Sequence, residues 1–220
     1  VYLCTARPYE SIVQTNILDY LKPDGIISNN GGVVFNNNKC IMINKIPSDL
    51  VKKVIEVCSK KKLEVEYSTV KDRFFSVPST KYVKKYFETF REKEVPVKLY
   101  ENEDVSSLLL MCPKRFDKRL LKRIPKELDY FRFHPYGVDI RFERNDKGKA
   151  IDFVLKYHNL SYDNALSIGD DMQDIFMFKK TKFSAAMGNG LEEVKKAATY
   201  VAKPISENGV LDTLKHFEII

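Results

Sequence analysis

Three aspartates lie within five positions of the chain, in the segment SIGDDMQD at residues 167–174. The carboxylates of Asp170, Asp171 and Asp174 repel one another unless a cation or hydrogen-bond donors compensate their charge. Mg²⁺ prefers oxygen ligands and often keeps water and phosphate in its remaining positions. The segment is therefore typical of a magnesium site formed by Asp170 and Asp174. A helix start explains it equally well, since aspartates at a cap and in the first turn stabilise a helix.

Two further side chains are candidates for binding phosphate. Thr5 follows an apolar opening segment, and its hydroxyl can donate to a phosphate oxygen. Taken alone, Thr5 is more simply explained as a helix cap or a local turn. Lys147 precedes an apolar helical pattern, where a cation opposes the helix dipole. A phosphate bound at the helix start would explain a lysine there.

The elements that position these residues alternate between strand and helix at both ends of the chain. Residues 1–46 predict a strand, a helix at about 11–21, a second strand and a hairpin, and residues 140–220 return to alternating strands and helices. Residues 47–139 predict a mixed, largely antiparallel region. We therefore predict an α/β fold, with a Rossmann-like doubly wound parallel core from 1–46 and 140–220 and an inserted α+β cap from 47–139.

Ligands of a doubly wound sheet bind at the carboxyl ends of its strands. Four polar segments of this sequence follow predicted strands: TARP at 5–8, NNGG at 29–32, GDD at 169–171 and MGNG at 187–190. The sequence therefore predicts that these segments face one crevice.

Composition narrows the possible partners. The net charge is +7, but the cations alternate with glutamate along predicted helices such as LVKKVIEVCSKKKLE, which favours solvated faces over a nucleic-acid surface. The four cysteines lack the spacing of a zinc or redox motif. The sequence has no apolar run of about 20 residues and no signal-peptide pattern. We expect a cytoplasmic protein without a nucleic-acid or membrane partner, as a monomer or a weak homo-oligomer.

The segments TARP, SNNGG, DKGKA, GDDMQD, AMGNG and ENGV occur in an order and spacing that resemble the Cof-type phosphatases of the haloacid dehalogenase-like (HAD) superfamily. The resemblance covers essentially the whole chain, and the KG and GDDMQD elements together are more specific than either alone. It implies a Mg²⁺-dependent phosphatase with a large α/β cap. The implied substrate is a small phosphorylated metabolite such as a sugar phosphate, hydrolysed through an aspartyl-phosphate.

The resemblance also implies roles for individual residues. Thr5 resembles the phosphate-binding hydroxyl of the second family motif, with the Ala6 amide beside it. Lys147 resembles the lysine of the third motif, which neutralises the phosphoryl group. Asp170 resembles the Mg²⁺ ligand of the fourth motif, with Asp174 as its acidic companion.

Three amide side chains complete the implied substrate site. Gln173 stands where the family usually has asparagine, so its phosphate contact is one methylene longer than the family pattern. Asn29 and Asn30 are expected near the phosphate and the cap.

The sequence departs from the family at the nucleophile. The Asp-x-Asp-Gly-Thr motif belongs one βα unit before Thr5, and it occurs nowhere in the 220 residues. We expect that an N-terminal segment of a complete phosphatase precedes this sequence and that the 220 residues alone are inactive. The alternatives are a catalytically silent module that binds a phosphorylated ligand or a protein, and a phosphomutase of the same superfamily.

Overall fold

The computed structural model describes residues 1–78, 81–90, 93, 95–142 and 146–220. The chain divides into two compact units, Val1–Asn145 and Asp146–Ile220. The assignment of residues 1–46 and 140–220 to one core domain, with 47–139 inserted, stays a prediction.

The first unit begins with a four-stranded sheet in the order β1-β2-β3-β4. β1 pairs with β2 in parallel, and the other two pairs are antiparallel. Two short helices connect β1 to β2. The elements are β1 (Tyr2–Cys4), α1 (Tyr9–Gln14), α2 (Ile17–Tyr20), β2 (Gly25–Ser28), β3 (Val33–Asn36) and β4 (Lys39–Ile43).

The prediction of a single helix at about 11–21 is wrong, because the segment forms the two helices α1 and α2. Asn16 has a left-handed backbone, with φ of 56°, and it separates α1 from α2. Asparagine adopts this conformation more readily than most residues. The apolar pattern continues across Asn16, which is why periodicity alone predicted one helix.

A five-stranded sheet follows in the order β6-β5-β7-β9-β8, with every neighbouring pair antiparallel. Apolar spacing in the sequence predicts a helix from Ser79 to Glu94; a helix is present at the centre of this segment, and both predicted ends lie outside the described residues. The elements are α3 (Ser48–Ser59), β5 (Glu64–Ser68), β6 (Arg73–Phe75), α4 (Lys81–Phe90), β7 (Ser107–Met111), α5 (Asp117–Leu120), β8 (Leu128–His134) and β9 (Gly137–Phe142).

The two faces of the five-stranded sheet differ in polarity because successive residues of a strand point to opposite sides. One face packs an apolar core with α3 that includes Val65, Leu108 and Ile140. On the other face, Glu66, Leu109 and Asp139 lie side by side in the strand register. Glu66 is almost fully buried. This second face therefore carries buried charge, which an ordinary structural sheet avoids.

The second unit contains a three-stranded parallel sheet in the order β10-β11-β12, with helices between its strands. Its helices and strands alternate as the sequence predicted, and the molecule has the predicted mixed α/β class. The elements are α6 (Lys147–Tyr157), β10 (Leu166–Gly169), α7 (Ile175–Phe178), β11 (Phe183–Ala186), α8 (Glu192–Ala197), β12 (Tyr200–Val201) and α9 (Gly209–His216). Among the described residues, none of the helices has the length and apolar character needed to cross a membrane.

Candidate functional site

A buried ion pair joins the start of α6 to the segment after β10. The Nζ of Lys147 lies 2.6 Å from Oδ1 of Asp174, and the two side chains are only 9% and 6% exposed. A buried ammonium needs a partner, because an unpaired buried charge is strongly destabilising. The ion pair accounts for a lysine at a helix start, where the helix dipole alone disfavours a cation.

The other oxygen of Asp174 fixes the backbone around Asp170. Oδ2 accepts from the N–H of Asp170 at 2.8 Å and from the N–H of Asp171 at 3.1 Å. A Cβ at Gly169 would lie 2.4 Å from Cβ of Asp174, so only glycine permits this approach. The Asp174 carboxylate thus accepts from three donors. We interpret it first as the group that positions Asp170 and Lys147, and its predicted role as a metal ligand stays a prediction.

The carboxylate of Asp170 lies at the end of β10 and accepts no hydrogen bond from the described residues. Its pKa is raised above the usual value, first by partial burial and then by repulsion from Asp174 and Asp171, while Lys147 acts in the opposite direction. A cation beside Asp170 would offset this repulsion. The residues present therefore fit a Mg²⁺ ion held through Asp170.

Such an ion would take few ligands from the protein. The part of the chain that the structure describes contains no group of three or more histidine, cysteine or acidic side chains that could hold a metal. Mg²⁺ is often bound through one or two carboxylates, with water and substrate phosphate completing its shell. The donor set around Asp170 matches that pattern.

The remaining residues of GDDMQD have distinct positions. Asp171 caps the turn that precedes α7, because its Oδ1 accepts from the N–H of Met172 at 2.6 Å. The capping interpretation is therefore correct for Asp171. Gln173 is half-buried in that turn. The predicted neighbour segment MGNG lies beside Asp170, whose carbonyl accepts from the N–H of Leu191 at 3.2 Å.

The predicted phosphate-binding residues of the first unit lie in the loop after β1. The Thr5 hydroxyl accepts from the N–H of Arg7 at 3.1 Å, and this local turn explains a threonine here without any ligand. This bond uses the oxygen of Thr5 as acceptor and leaves its O–H as a donor. The Ala6 side chain is exposed, and the Ala6 N–H has no acceptor among the described residues.

Asn29 and Asn30 follow β2 and contact this loop through their backbone. The N–H of Asn29 donates to the carbonyl of Arg7 at 3.1 Å, and the N–H of Asn30 donates to the carbonyl of Thr5 at 3.2 Å. Both asparagines are left-handed, with φ of 51° and 53°. The structure thus brings TARP and NNGG together. The single crevice predicted from all four strand ends stays a prediction.

The side chains of the two asparagines reach the five-stranded sheet. Nδ2 of Asn29 donates to the Ser106 hydroxyl at 2.5 Å, and Nδ2 of Asn30 donates to Oδ2 of Asp139 at 2.8 Å. The pKa of Asp139 is raised by burial, against the opposing effects of Arg141 and Asn30. Nε of Arg141 lies 3.4 Å from Oδ2 of Asp139.

Sequence reasoning did not single out Ser106, Asp139 or Arg141. One signal was present in the segment GVDIRF, where Asp139 and Arg141 alternate with valine, isoleucine and phenylalanine. Charged residues at every second position of a strand mark one face, but they usually mark a face in contact with solvent. Only the structure shows that Asp139 contacts Asn30.

Comparisons with known proteins point to one family. The family of haloacid dehalogenase-like hydrolases matches residues 1–214. A protein of Bacillus subtilis (strain 168) named "Putative phosphatase YkrA" is 24% identical over 206 residues, which cover 93% of this chain and 79% of that protein. A phosphoglycolate phosphatase of Picrophilus torridus is 35% identical over 85 residues, which cover 39% of this chain and 36% of that protein.

Solved structures share the fold over the whole chain. The HAD subclass IIB sugar phosphatase BT4131 has a TM-score of 0.84 and 28% identity, covering 100% of this chain and 85% of that chain. A hypothetical protein from Geobacillus kaustophilus HTA426 has a TM-score of 0.91 and 22% identity, covering 100% of this chain and 86% of that chain. At this identity the second likeness supports the fold alone.

Proposed function

Because the chain belongs to the haloacid dehalogenase-like hydrolase family, we propose that it is a Mg²⁺-dependent phosphatase acting on a small phosphorylated metabolite of the sugar-phosphate class. The observation that carries this proposal is the buried Lys147–Asp174 pair, which fixes the backbone of Asp170 at the end of β10. The similarity to proteins named as phosphatases supports it. The 28% identity to a sugar phosphatase supports the substrate class.

In this proposal, Lys147 donates hydrogen bonds to the phosphoryl group. An ammonium has three N–H donors, and Asp174 takes one from Lys147, so the others are available to phosphoryl oxygens. Within the first unit, the Thr5 hydroxyl and the Ala6 N–H are the donors that the family resemblance assigns to phosphate. Donors fixed before the substrate arrives stabilise developing negative charge without having to reorganise.

The proposed phosphatase activity also requires a divalent ion. Asp170 would hold Mg²⁺, which when bound supplies positive charge to the phosphoryl oxygens and orients them. Asp174 keeps the Asp170 backbone in place through its two amide hydrogen bonds. The role of Asp174 in this proposal is therefore positioning, with Asp170 as the ligand.

The bond-making step that we propose follows the family pattern. A carboxylate attacks phosphorus, the ester P–O bond breaks, and the leaving oxygen takes a proton; water then hydrolyses the aspartyl-phosphate. The 220 residues contain no Asp-x-Asp-Gly-Thr segment. The residues named here are therefore assigned to binding the phosphate and the metal, and none of them is assigned to the attack.

A second candidate function is a module that binds a phosphorylated ligand without turnover, for which the buried Lys147–Asp174 pair would also serve. Phosphate release and ligand binding separate the two. The phosphatase releases phosphate from p-nitrophenyl phosphate, whereas the module binds inorganic phosphate in a calorimetric titration and releases none.

The direct test compares the wild type with Asp170→Ala and Lys147→Ala. We expect phosphate release to require Mg²⁺, to be abolished by Asp170→Ala and to be strongly reduced by Lys147→Ala. Mg²⁺ affinity, measured by calorimetry, gives a readout that is independent of turnover, and Asp170→Ala should weaken it. Full activity and full Mg²⁺ affinity in Asp170→Ala would leave the acidic cluster with a helix-capping role only.

A further inference from the structure

The positive charge of this protein is concentrated in one segment of the first unit, residues 114–126. The segment contains seven lysines and arginines and one acid, Asp117, so it carries six of the seven net positive charges of the chain. All seven cationic side chains are exposed, and none of them forms an ion pair with the acidic residues that the structure describes. Asp117 does not neutralise them, because its two carboxylate oxygens accept from Nε and Nη2 of Arg132.

The backbone of this segment arranges the cations in two rows. A short 3₁₀ helix (Lys114–Phe116), α5 and a second 3₁₀ helix (Leu121–Arg123) follow one another, and the junction residues Asp117 and Leu121 keep the right-handed helical conformation. Residues four apart lie on the same side of a helix, one turn from each other. The two rows are Lys114, Lys118 and Lys122, and Arg115, Arg119 and Arg123.

The fold itself gains nothing from this arrangement, since like charges four residues apart destabilise a helix. The long helix α3 is different, because Lys53 pairs with Asp49 at 3.4 Å and Lys60 pairs with Glu56 at 2.6 Å. The expectation of solvated cationic faces rested on helices of that kind. Rows of cations without acidic neighbours are instead typical of a surface that meets a chain of negative charges.

Two tyrosine rings lie beside the first turn of the segment. Nη2 of Arg115 donates to the Tyr82 hydroxyl at 3.0 Å. The rings of Tyr82 and Tyr136 are stacked, with centroids 5.7 Å apart and planes at 25°, and both side chains are half-buried. Nζ of the exposed Lys85 lies 5.6 Å from the Tyr136 ring centroid. Aromatic rings next to a row of cations are the arrangement on which bases of single-stranded nucleic acid stack.

The apolar side of the segment favours nucleic acid over a membrane surface. Leu120, Leu121 and Ile124 are 3%, 9% and 6% exposed and belong to the core that α3 forms with the five-stranded sheet. A helix that lies on a membrane inserts its apolar side into the lipid, and here that side is already packed. An acidic polypeptide would match the cations but would gain no stacking contact from the tyrosine rings.

We propose that residues 114–126, together with Tyr82 and Tyr136, form a surface that binds single-stranded nucleic acid. The two rows of cations neutralise backbone phosphates, and the tyrosine pair stacks with an unpaired base. Contacts of this kind carry little sequence preference. The surface goes beyond the proposed phosphatase function, since it shares no residue with the proposed phosphate and metal site.

The test measures binding of a fluorescein-labelled strand of about 12 thymidines, by fluorescence anisotropy over a series of salt concentrations. If six cations each neutralise one phosphate, the logarithm of the binding constant should fall with the logarithm of the salt concentration with a slope of about −4. The charge variant carries four substitutions: Lys118→Gln, Arg119→Gln, Lys122→Gln and Arg123→Gln. It should bind about 100-fold more weakly at low salt, with a slope of about −1.

The matched control removes the same charge from exposed positions of the second unit. Its four substitutions are Lys156→Gln, Lys179→Gln, Lys196→Gln and Lys215→Gln. The control should keep the wild-type slope and bind within about threefold of the wild type. Tyr136→Ala tests the stacking contact separately, and it should weaken binding about tenfold without changing the slope. Urea denaturation shows that each variant is folded.

Three results would overturn the proposed surface. The first is the absence of binding by the wild type at about 50 mM salt. The second is an equal loss of affinity in the two fourfold variants, which would assign binding to net charge alone. The third is wild-type binding to polyglutamate or to phosphatidylserine vesicles as tight as to the oligonucleotide, with no effect of Tyr136→Ala. That result would assign the segment to an acidic polypeptide or to a membrane surface. Phosphate release by the wild type is measured separately, so the phosphatase proposal stands or fails independently of these results.

Discussion

The two polar clusters of this protein differ in how completely they satisfy their own hydrogen bonds. In the second unit, Asp174 accepts from Lys147 and from two backbone amides. In the first unit, Asn29 and Asn30 each donate to a partner while their carbonyl oxygens have none among the described residues. The Asp174 carboxylate is therefore fully hydrogen-bonded, whereas the two asparagine side chains are each only half satisfied by the described residues.

This difference predicts how much each cluster contributes to the stability of the fold. Removing one member of a satisfied buried pair leaves an uncompensated charge, so the fold loses stability. Removing a side chain that carries an unpaired buried acceptor also removes that destabilising atom, so the protein loses less stability. Substitution of Asp174 should therefore destabilise the fold far more than substitution of Asn29, although both side chains are buried.

Asp174→Asn should have the largest effect on stability. The substitution removes the negative charge that Lys147 faces at 2.6 Å, and breaking a buried pair in this way costs about 3–5 kcal/mol. Urea denaturation gives the change in the free energy of unfolding. The double variant Lys147→Met, Asp174→Leu should recover a large part of the loss, since it removes both charges. A loss below about 1 kcal/mol in Asp174→Asn would show that solvent already screens the pair.

Asp139→Asn should change how stability depends on pH. Burial raises the pKa of Asp139 in the folded protein. At pH values between the unfolded pKa near 3.8 and the raised pKa of the folded protein, Asp139 is ionised in the unfolded chain and stays protonated in the folded protein. The contribution of Asp139 to the free energy of unfolding is therefore fully present below pH 3.8. Within that window it falls by about 1.4 kcal/mol for each pH unit. Denaturation curves from pH 3 to 7 should be flatter for the variant, and parallel curves would contradict the prediction.

Asp171→Ala separates helix capping from metal binding within one segment. Asp171 caps the turn before α7 through Met172, and the loss of such a cap costs about 0.5–2 kcal/mol. Its Mg²⁺ affinity should stay within about twofold of the wild type, in contrast to Asp170→Ala. Calorimetry and urea denaturation measure the two quantities on the same samples. A loss of Mg²⁺ affinity as large as that of Asp170→Ala would make Asp171 a ligand.

Asn29→Gly should have the smallest effect on the ligand-free protein. It loses the hydrogen bond to Ser106, but it also removes a buried oxygen that has no donor in the described part of the chain, and it relieves the left-handed backbone of a residue with a side chain. These contributions oppose one another, so we expect a change of less than about 1 kcal/mol in the free energy of unfolding. A destabilisation approaching that of Asp174→Asn would remove the distinction between the two clusters.

Much of the secondary structure could be predicted from the sequence. The apolar helical pattern beside Lys147 is α6, which begins at Lys147 itself, and helical residues occupy most of the segment predicted at about 11–21. Elements of this kind are encoded locally, by apolar periodicity and by capping residues. The break at Asn16 was missed because a single asparagine does not interrupt an apolar pattern.

The chemical character of the site was only partly readable from the sequence. The residue types and order of Thr5, Lys147 and Asp170 were enough to suggest phosphate and a divalent ion. Their partners were not predicted, since Asp174 lies 27 positions from Lys147 and Asp139 lies 109 positions from Asn30. Sequence spacing carries no information about contacts over such separations.

The sequence by itself determined the alternation of strands and helices, the family and the candidate ligands, because each depends on short segments and their order. Tertiary structure alone decided that Asp174 binds Lys147 and that the side-chain oxygens of Asn29 and Asn30 have no donor among the described residues. Whether a polar atom is satisfied depends on which distant groups the fold brings within about 3 Å of it. That property belongs to the folded chain, and no single segment contains it.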